Sequence, residues 1–264
     1  MARRAFLSAL FNTFGFKSFR MKKIPLMLLF LCAGIFTQAQ TVDEVIENYI
    51  KAIGGRDKIK SLQSVKTDIK MKAQMFEFPT TAYMKKDGSM RSETEIQGLK
   101  IIQTYNAADS SGWSINPMQG DNKAHKMNDE EKKQMSEEGN RLEDPLVDYK
   151  SKGHAAELLG KEDLEGDEVY KIMLTKKNGN ITYYYIDAQK YLIWKEETKI
   201  KFQDREYTNE TYYSNYTTQD GITSARTIEN YNEGKVTMQM NVDKMEYNTK
   251  FDDKLFKMPE DKKE

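Results

Sequence analysis

The feature that most constrains the fold is a run of short apolar and aromatic segments within residues 168–247. Asn178-Gly179 lies between two of them, 169–174 and 181–186, and this dipeptide is typical of a tight β-hairpin turn. Turn residues recur at roughly 11- to 14-residue intervals, which leaves no room for the helical crossovers that parallel strands require. The region therefore predicts an antiparallel meander.

The first half of the chain carries the same signals. Residues 65–75 alternate strictly between apolar and polar side chains, the pattern of a strand with one buried and one solvated face. Pro79 is expected to end this strand, residues 80–84 to begin its partner, and two further hairpins to follow up to residue 115. We therefore predict a mainly β (α+β) fold in one domain, residues 41–264, with about 11 antiparallel strands.

Helical signals are few. Thr41 and Glu44 have the spacing of a capping box before an amphipathic helix that Gly54-Gly55 ends, and a short second helix is expected within 57–62. The third signal lies in an insert, residues 117–153, where 128–139 is charged almost all round and 144–147 starts another short helix. The insert is either a lid over the sheet or a mobile surface excursion.

The N-terminus predicts export. Residues 21–40 combine two lysines, a 13-residue apolar run from Ile24 to Phe36 and small residues near Ala39, as in a secretory signal peptide. We assign residues 1–40 to this leader; residues 1–20 either extend it or precede a true start at Met21, which we favour. Cys32, the one cysteine, follows Leu31 rather than the small residue of a lipid-attachment motif, so cleavage is favoured over anchoring.

Charge and composition argue against several functions. Without residues 1–40 the chain has 35 basic and 41 acidic residues, a net charge of −6, so no nucleic acid partner is expected. Two isolated histidines and no thiol outside the leader predict no metal site and no cofactor. Nucleophile-elbow, phosphate-loop and metalloprotease motifs are absent from the sequence, so we predict no enzyme.

The remaining feature is apolar surface. Twelve methionines follow the leader, and flexible thioethers either fill a core or line a pocket for acyl chains. Because three modest helices are too few to cover so many strands, we predict a cavity. Its candidate lining is Val65, Ile69, Met71, Met75, Ala82, Met84, Trp113, Val236, Met238, Met240 and Val242.

Four short motifs carry a family resemblance. They are Gly112-Trp113-Ser114-Ile115-Asn116-Pro117, Asp144-Pro145-Leu146, the closing Phe256-Lys257-Met258-Pro259 and the opening Ala52-Ile53-Gly54-Gly55-Arg56-Asp57-Lys58-Ile59. Together with the order of the elements, they resemble the LolA-like family of outer-membrane lipoprotein-sorting proteins and carriers. The likeness spans nearly the whole chain after the leader.

This resemblance implies a curved half-barrel sheet whose concave face holds acyl chains beneath a lid of helices, without catalysis or a bound metal. The family ties its lid shut with an arginine on an early turn. Lys86 stands at the matching turn and lacks the planar fork of arginine. We therefore name Lys86 and Arg91, on the next strand, as the candidate lid contacts.

The leading hypothesis is a soluble, monomeric periplasmic carrier or chaperone that binds lipid or lipoprotein acyl chains and exchanges them with inner- and outer-membrane transfer partners. The alternative is a non-carrier envelope scaffold or sensor that uses the same sheet for protein contact. The alternative requires a filled interior and an exposed apolar patch.

Overall fold

The computed structural model describes residues 40–139, 142, 144–202 and 205–260. Apart from Gln40, the leader assigned to residues 1–40 lies outside this part of the chain. The described helices are α1 (Val42–Ala52), α2 (Arg56–Ser61) and α3 (Asp129–Gly139).

Helix α1 begins and ends where the sequence predicts. The Thr41 side chain accepts a hydrogen bond from the Glu44 N–H, and the Glu44 carboxylate accepts one from the Thr41 N–H at 2.9 Å. Gly54 ends the helix with φ of +124°, and a Cβ there would lie 2.3 Å from the Gly221 carbonyl oxygen. Glycine is therefore required by both the backbone conformation and the close approach.

Fifteen strands are described, and the fold is mainly β, as predicted. They are β1 (Ser64–Ala73), β2 (Phe76–Lys85), β3 (Met90–Ile96), β4 (Leu99–Asn106), β5 (Ser111–Ile115), β6 (His125–Lys126), β7 (Ala155–Leu164), β8 (Asp167–Thr175), β9 (Ile181–Asp187), β10 (Ile193–Phe202), β11 (Arg205–Ser214), β12 (Thr217–Gln219), β13 (Ile222–Ser224), β14 (Thr227–Asn232) and β15 (Lys235–Tyr247). The sequence predicted about 11 strands. This number is too low because strands of two or three residues, such as β6, β12 and β13, are too short to show a period-two pattern.

Thirteen strands form one open, curved antiparallel sheet, and β12 and β13 form a separate hairpin. The sheet order is β6-β5-β4-β3-β2-β1-β15-β14-β11-β10-β9-β8-β7. The pairing of β1 with β15 joins an N-terminal half to a C-terminal half. Strands β6 and β7 are the two opposite edges of the sheet, and the insert lies between them in the sequence.

The hairpin expected at Asn178-Gly179 is formed, but by a longer turn than the dipeptide suggests. The Gly179 N–H donates to the Lys176 carbonyl at 2.8 Å, and Gly179 has a positive φ of +86° whereas Asn178 does not. This is a type I turn followed by a left-handed glycine, rather than a type I′ turn with two positive φ values. The pairing of β8 with β9 is preserved.

Two local expectations in the N-terminal half were wrong. Pro79 does not break a strand but lies inside β2, next to Lys70 of β1, and pairing of β2 with β3 begins only at Thr80. Met75 was expected on β1, yet β1 ends at Ala73 and Met75 lies in the turn with 91% of its surface exposed.

The insert also differs in part from the prediction. Helix α3 is present, but residues 145–150 form consecutive turns instead of a second helix. The Asp144 side chain accepts the Leu146 N–H at 2.7 Å, and the Val147 N–H donates to the Asp144 carbonyl. An aspartate that bonds the backbone two residues ahead stabilises a turn, which explains the outcome.

All three helices pack on one face of the sheet, which we call the concave face; the opposite face is the convex face. The larger core cluster joins α1, α2 and the insert to the C-terminal half, and a smaller one joins α3 to the N-terminal half. The smaller cluster consists of Met90, Tyr105, Met127 and Met135. The concave face is thus covered unevenly.

Candidate functional site

A cavity of about 770 Å³ lies between the concave face and its cover. The cover consists of α1, α2, Leu142, Asp144 and Pro145, and the floor consists of inward-facing residues of β1, β2, β9–β11, β14 and β15. The sheet order places these strands side by side at the junction of the two halves. Cavities of this size, roughly 300–1,000 Å³, are typical of small-molecule sites.

One end of the cavity is apolar. Ile59 on α2, Leu62 after it and Val65 at the start of β1 line this end, together with Met84 and Tyr247 from the neighbouring strands. These residues meet because β1 pairs Val65 with Met84 on one side and with Tyr247 on the other. The end of the cavity beneath α2 therefore offers hydrophobic contact.

The wall between α1 and the insert is polar. The Tyr49 hydroxyl donates to the Asp144 carboxylate, and burial is the largest cause that raises the pKa of both groups. Tyr216 lines the same space, donates to the Ile193 carbonyl at 2.7 Å, and also has a pKa raised by burial. Burial therefore withdraws the polar groups of this wall from bulk water and favours their neutral forms.

The other end of the cavity is basic. Lys152 on the insert, His154 just before β7 and Lys176 at the turn after β8 line it. The pairing of Ala155 with Thr175 brings the two chain segments together, and the Lys177 N–H donates to His154 Nδ1 at 3.1 Å. Burial and the positive charges of Lys152 and Lys176 lower the pKa of His154. We call Lys152, His154, Lys176 and Lys177 the basic mouth.

The structure places the candidate lining residues in three groups. Val65 and Met84 line the cavity. Six others occupy inward-facing positions of the same sheet, outside the cavity lining. They are Ile69, Met71, Ala82, Met238, Met240 and Val242.

Three candidate lining residues lie elsewhere. Trp113 is paired with Thr104 on the convex face. Val236 lies before a bulge in the β14–β15 ladder, which turns it to the convex side opposite Tyr231, half exposed. Met75, in the turn between β1 and β2, is also outside the cavity. A one-residue shift in register reverses the face, and the sequence pattern contains no signal for the bulge.

The two candidate lid contacts lie on opposite sides of the sheet. Lys86 Nζ donates to the Lys60 carbonyl at 2.6 Å, near the end of α2, so it contacts one of the helices that cover the cavity. Arg91 instead packs on the convex face, where it donates to the Leu255 carbonyl at 3.0 Å and forms an ion pair with Glu93. Arg91 therefore contacts the C-terminal segment rather than the cover.

Sequence reasoning missed the polar residues of the site. Tyr49 was expected only as part of the apolar face of α1, and Asp144 only as the start of a helix. Lys152, His154 and Lys176 belong to no sequence motif. They come together because β7 pairs with β8, which brings Ala155 next to Thr175. The two lysines beside Asn178 were the one visible signal for the basic mouth.

Two further observations concern the described residues only. Nowhere in this part of the chain do three His, Cys, Asp or Glu side chains converge as a metal site would require. None of the described helices is long and apolar enough to cross a membrane.

The sequence matches no family model and no curated protein. Its fold, in contrast, matches solved structures. A DUF1329 family protein from Desulfovibrio piger has a TM-score of 0.55 and 14% identity, with 83% of this chain and 98% of that chain covered. A LolA superfamily protein from Nitrosomonas europaea has a TM-score of 0.52 and 13% identity over the same shares. A putative outer membrane lipoprotein-sorting protein domain from Vibrio parahaemolyticus has a TM-score of 0.52 and 11% identity, with 81% of this chain and 94% of that chain covered.

The chain has a LolA-like fold. The predicted resemblance is confirmed at this level, and identities of 11–14% extend it no further.

Within this LolA-like fold, two of the motifs that carried the resemblance meet on the convex face. Trp113 Nε1 donates to the Phe256 carbonyl at 3.1 Å, and the Phe256 ring is buried. Phe251 packs edge-on against Tyr83 with ring centroids 5.5 Å apart. The tryptophan motif thus holds residues 251–256 against the convex side of β2–β5, and its role in this structure is packing away from the cavity.

Proposed function

We propose that the protein is a periplasmic carrier, rather than an enzyme, that holds lipid or lipoprotein acyl chains in the cavity and exchanges them with membrane-associated transfer partners. The observation that supports this most directly is the cavity of about 770 Å³ with an apolar end beneath α2. The LolA-like fold and the leader predicted at residues 1–40 point in the same direction.

The cavity is large enough for hydrophobic binding to be strong. Burial of about ten methylene groups at about 0.8 kcal/mol each would contribute roughly 8 kcal/mol. The inward-facing Ile69, Met71, Met238 and Met240 continue the apolar surface from the cavity along β1 and β15. A chain longer than the covered cavity would therefore still lie against apolar side chains.

A matched pair of substitutions on β14 tests the proposal. Ile228 lines the cavity, whereas its neighbour Glu229 faces the convex side opposite Tyr212. We expect Ile228→Trp to weaken binding of a fluorescent fatty acid by about tenfold or more, equivalent to about 1.4 kcal/mol, because the indole occupies ligand space. Glu229→Trp should leave the affinity unchanged.

The measurement is a fluorescence titration, with mass spectrometry of lipids extracted from the purified protein. Absence of saturable binding by the unmodified protein, together with absence of co-purified lipid, would contradict the carrier function. Equal weakening by both tryptophan variants would show that binding occurs outside the cavity.

A row of exposed apolar side chains favours a second candidate, contact with a protein partner. The row lies along one rim of the sheet, at the ends of successive strands, and consists of Met75, Phe76, Leu99, Met118 and Val236. A scaffold or sensor would also be expected to have a filled interior, and the cavity argues against that. Phe76→Ser separates the candidates, because it should leave fatty-acid binding intact and weaken only contacts made through the rim.

A further inference from the structure

We propose that the ligand of the cavity is an anionic amphiphile, with its acyl tail beneath α2 and its carboxylate or phosphate head at the basic mouth. This inference rests on the proposed carrier function and adds the chemical class and orientation of the ligand. It follows from the distribution of polarity along the cavity.

The cavity changes character along the direction of the strands. On β10, Ile193 marks the apolar side and Thr198 the polar side of the floor; five residues at about 3.3 Å per residue separate them by about 17 Å. On β9, Tyr184 and Thr182 follow the same order, and Asn180 lies beyond them in the turn. One elongated ligand with a polar end fits this gradient.

Positive charge is concentrated at the polar end. Lys152, His154 and Lys176 line the cavity and also a shallow surface depression of about 480 Å³ that continues outward past Lys177 and Asn178. Lys152 Nζ donates to the Asp144 backbone carbonyl at 2.8 Å. In addition to burial, the charges of Lys152 and Lys176 both lower the pKa of His154, so both positive charges act on the same place. An anionic head placed there would be attracted by several cations at once.

Two acidic residues line the same cavity and have to be accounted for. Asp144 has both carboxylate oxygens engaged, one by the Tyr49 hydroxyl and the other by the Leu146 N–H at 2.7 Å. Glu196 lies on β10 between Ile193 and Thr198, within the middle of the floor rather than at the mouth. Lys152 and Lys176 also act on the Asp144 carboxylate, where their charges oppose the rise in pKa caused by burial, so Asp144 offsets part of the positive charge of the basic mouth.

The test compares cis-parinaric acid with its methyl ester, which has the same tail but no charge. The variant is Lys176→Gln combined with Lys177→Gln, and the control is Lys72→Gln combined with Lys235→Gln, which removes equal charge from exposed positions of other hairpins. We expect the first variant to weaken binding of the acid about tenfold at low salt and to leave the ester unchanged. The control variant should bind both probes like the unmodified protein.

The outcomes separate the two proposals. If neither probe binds, the carrier function itself fails. If both probes bind equally and the first variant changes neither, or weakens both alike, the carrier function stands and the anionic head is ruled out. If inorganic phosphate alone displaces the acid as well as a tailed competitor does, the basic mouth is a site for a free anion and not for an amphiphile.

Discussion

The two parts of the insert cover the concave face in very different ways. Helix α3 contributes Met135 to a cluster of four buried residues over β3–β5, and Met135 is the one large apolar residue in its sequence. The later part, residues 144–153, contributes Leu146 and Val147, both 0% exposed, to the large cluster beneath α1. One part is thinly attached and the other is fixed in the core.

Polar contacts enlarge this difference. The Tyr149 hydroxyl donates to Asp43 of α1 at 2.8 Å, and Arg56 and Lys60 of α2 both donate to Asp148, at 2.7 and 2.6 Å. In α3 the ion pair between Asp129 and Lys132 is internal to the helix and does not join it to the sheet. These contacts therefore hold the later part of the insert, α1 and α2 together. Helix α3 is the part of the cover for which we expect the lowest free energy of local unfolding.

The largest expected effect compares one buried residue from each part. Leu146→Ala should lower the free energy of unfolding by about 2–5 kcal/mol, because it opens a cavity in the main core. Met135→Ala should lower it far less, since α3 can detach while the rest of the sheet remains folded. Urea denaturation followed by tyrosine fluorescence measures both.

Hydrogen exchange provides the independent check on this pair. Amides of α3 should exchange faster after Met135→Ala, whereas those of β8 and β9 should be unaffected. A Met135→Ala variant as destabilised overall as Leu146→Ala would show that α3 unfolds together with the core, and the contrast between the two parts would be lost.

A smaller effect is expected beneath α3, at Gly112 of β5. A Cβ there would lie 2.8 Å from Lys132 Cγ and 3.0 Å from Met127 Sδ, so a methyl group would displace both side chains. Gly112→Ala should cost about 1–3 kcal/mol through overpacking, relieved by displacement of α3. Faster proteolysis within 127–139 would report that displacement.

Adding Met127→Ala to Gly112→Ala refines this prediction. The second change removes the sulfur that the new methyl group meets, so the double variant should be less destabilised than the sum of the single variants. Strict additivity would mean that Gly112 and Met127 do not meet in solution.

The sequence predicted the elements that have a local signal, and it missed the features that depend on contacts between distant residues. The capping box at Thr41, the period-two pattern of β1 and the charged sequence of α3 are local signals, and each element formed at its signal, although β1 ends two residues earlier than its pattern. The curved sheet followed because the turn residues fixed the order of the hairpins. The family resemblance added the half-barrel and the covered concave face.

The failures concern contacts between distant residues. Residues 145–150 have the composition of a helix start, yet Asp144 is held by Tyr49 of α1, and Asp148 adopts a left-handed backbone with φ of +52°. Trp113 was listed among the apolar residues expected to line the cavity, whereas its partner Phe256 lies 143 residues away on the convex face. Bulges, long-range polar contacts and the C-terminal segment have no periodic signal, so the cavity walls could not be predicted from pattern alone.

The smallest effect concerns the ion pairs of the fixed part. Hydrogen bonds from Lys60 and Arg56 hold the pKa of Asp148 below its ordinary value of 3.8. Asp148→Asn keeps a residue that tolerates the left-handed backbone and should cost about 0.2–1 kcal/mol near neutral pH, because Lys60 is half exposed and solvent screens the pairs. The same substitution at Asp129 of α3 should leave stability unchanged.

The pH dependence of the unfolding free energy shows whether the charge of Asp148 causes the loss of stability in Asp148→Asn. A lowered pKa means that the stabilisation by Asp148 is fully present above 3.8 and is lost as the pH falls through the folded-state value. The unfolding free energies of the unmodified protein and Asp148→Asn should therefore converge below pH 3.8. Asp144 has the opposite sign, since its raised pKa favours the protonated folded state, but it is present in both proteins and cancels in the difference. A constant gap across this range would assign the loss to packing or backbone geometry, and the ion pairs of Asp148 would then contribute nothing to the attachment of the later part of the insert.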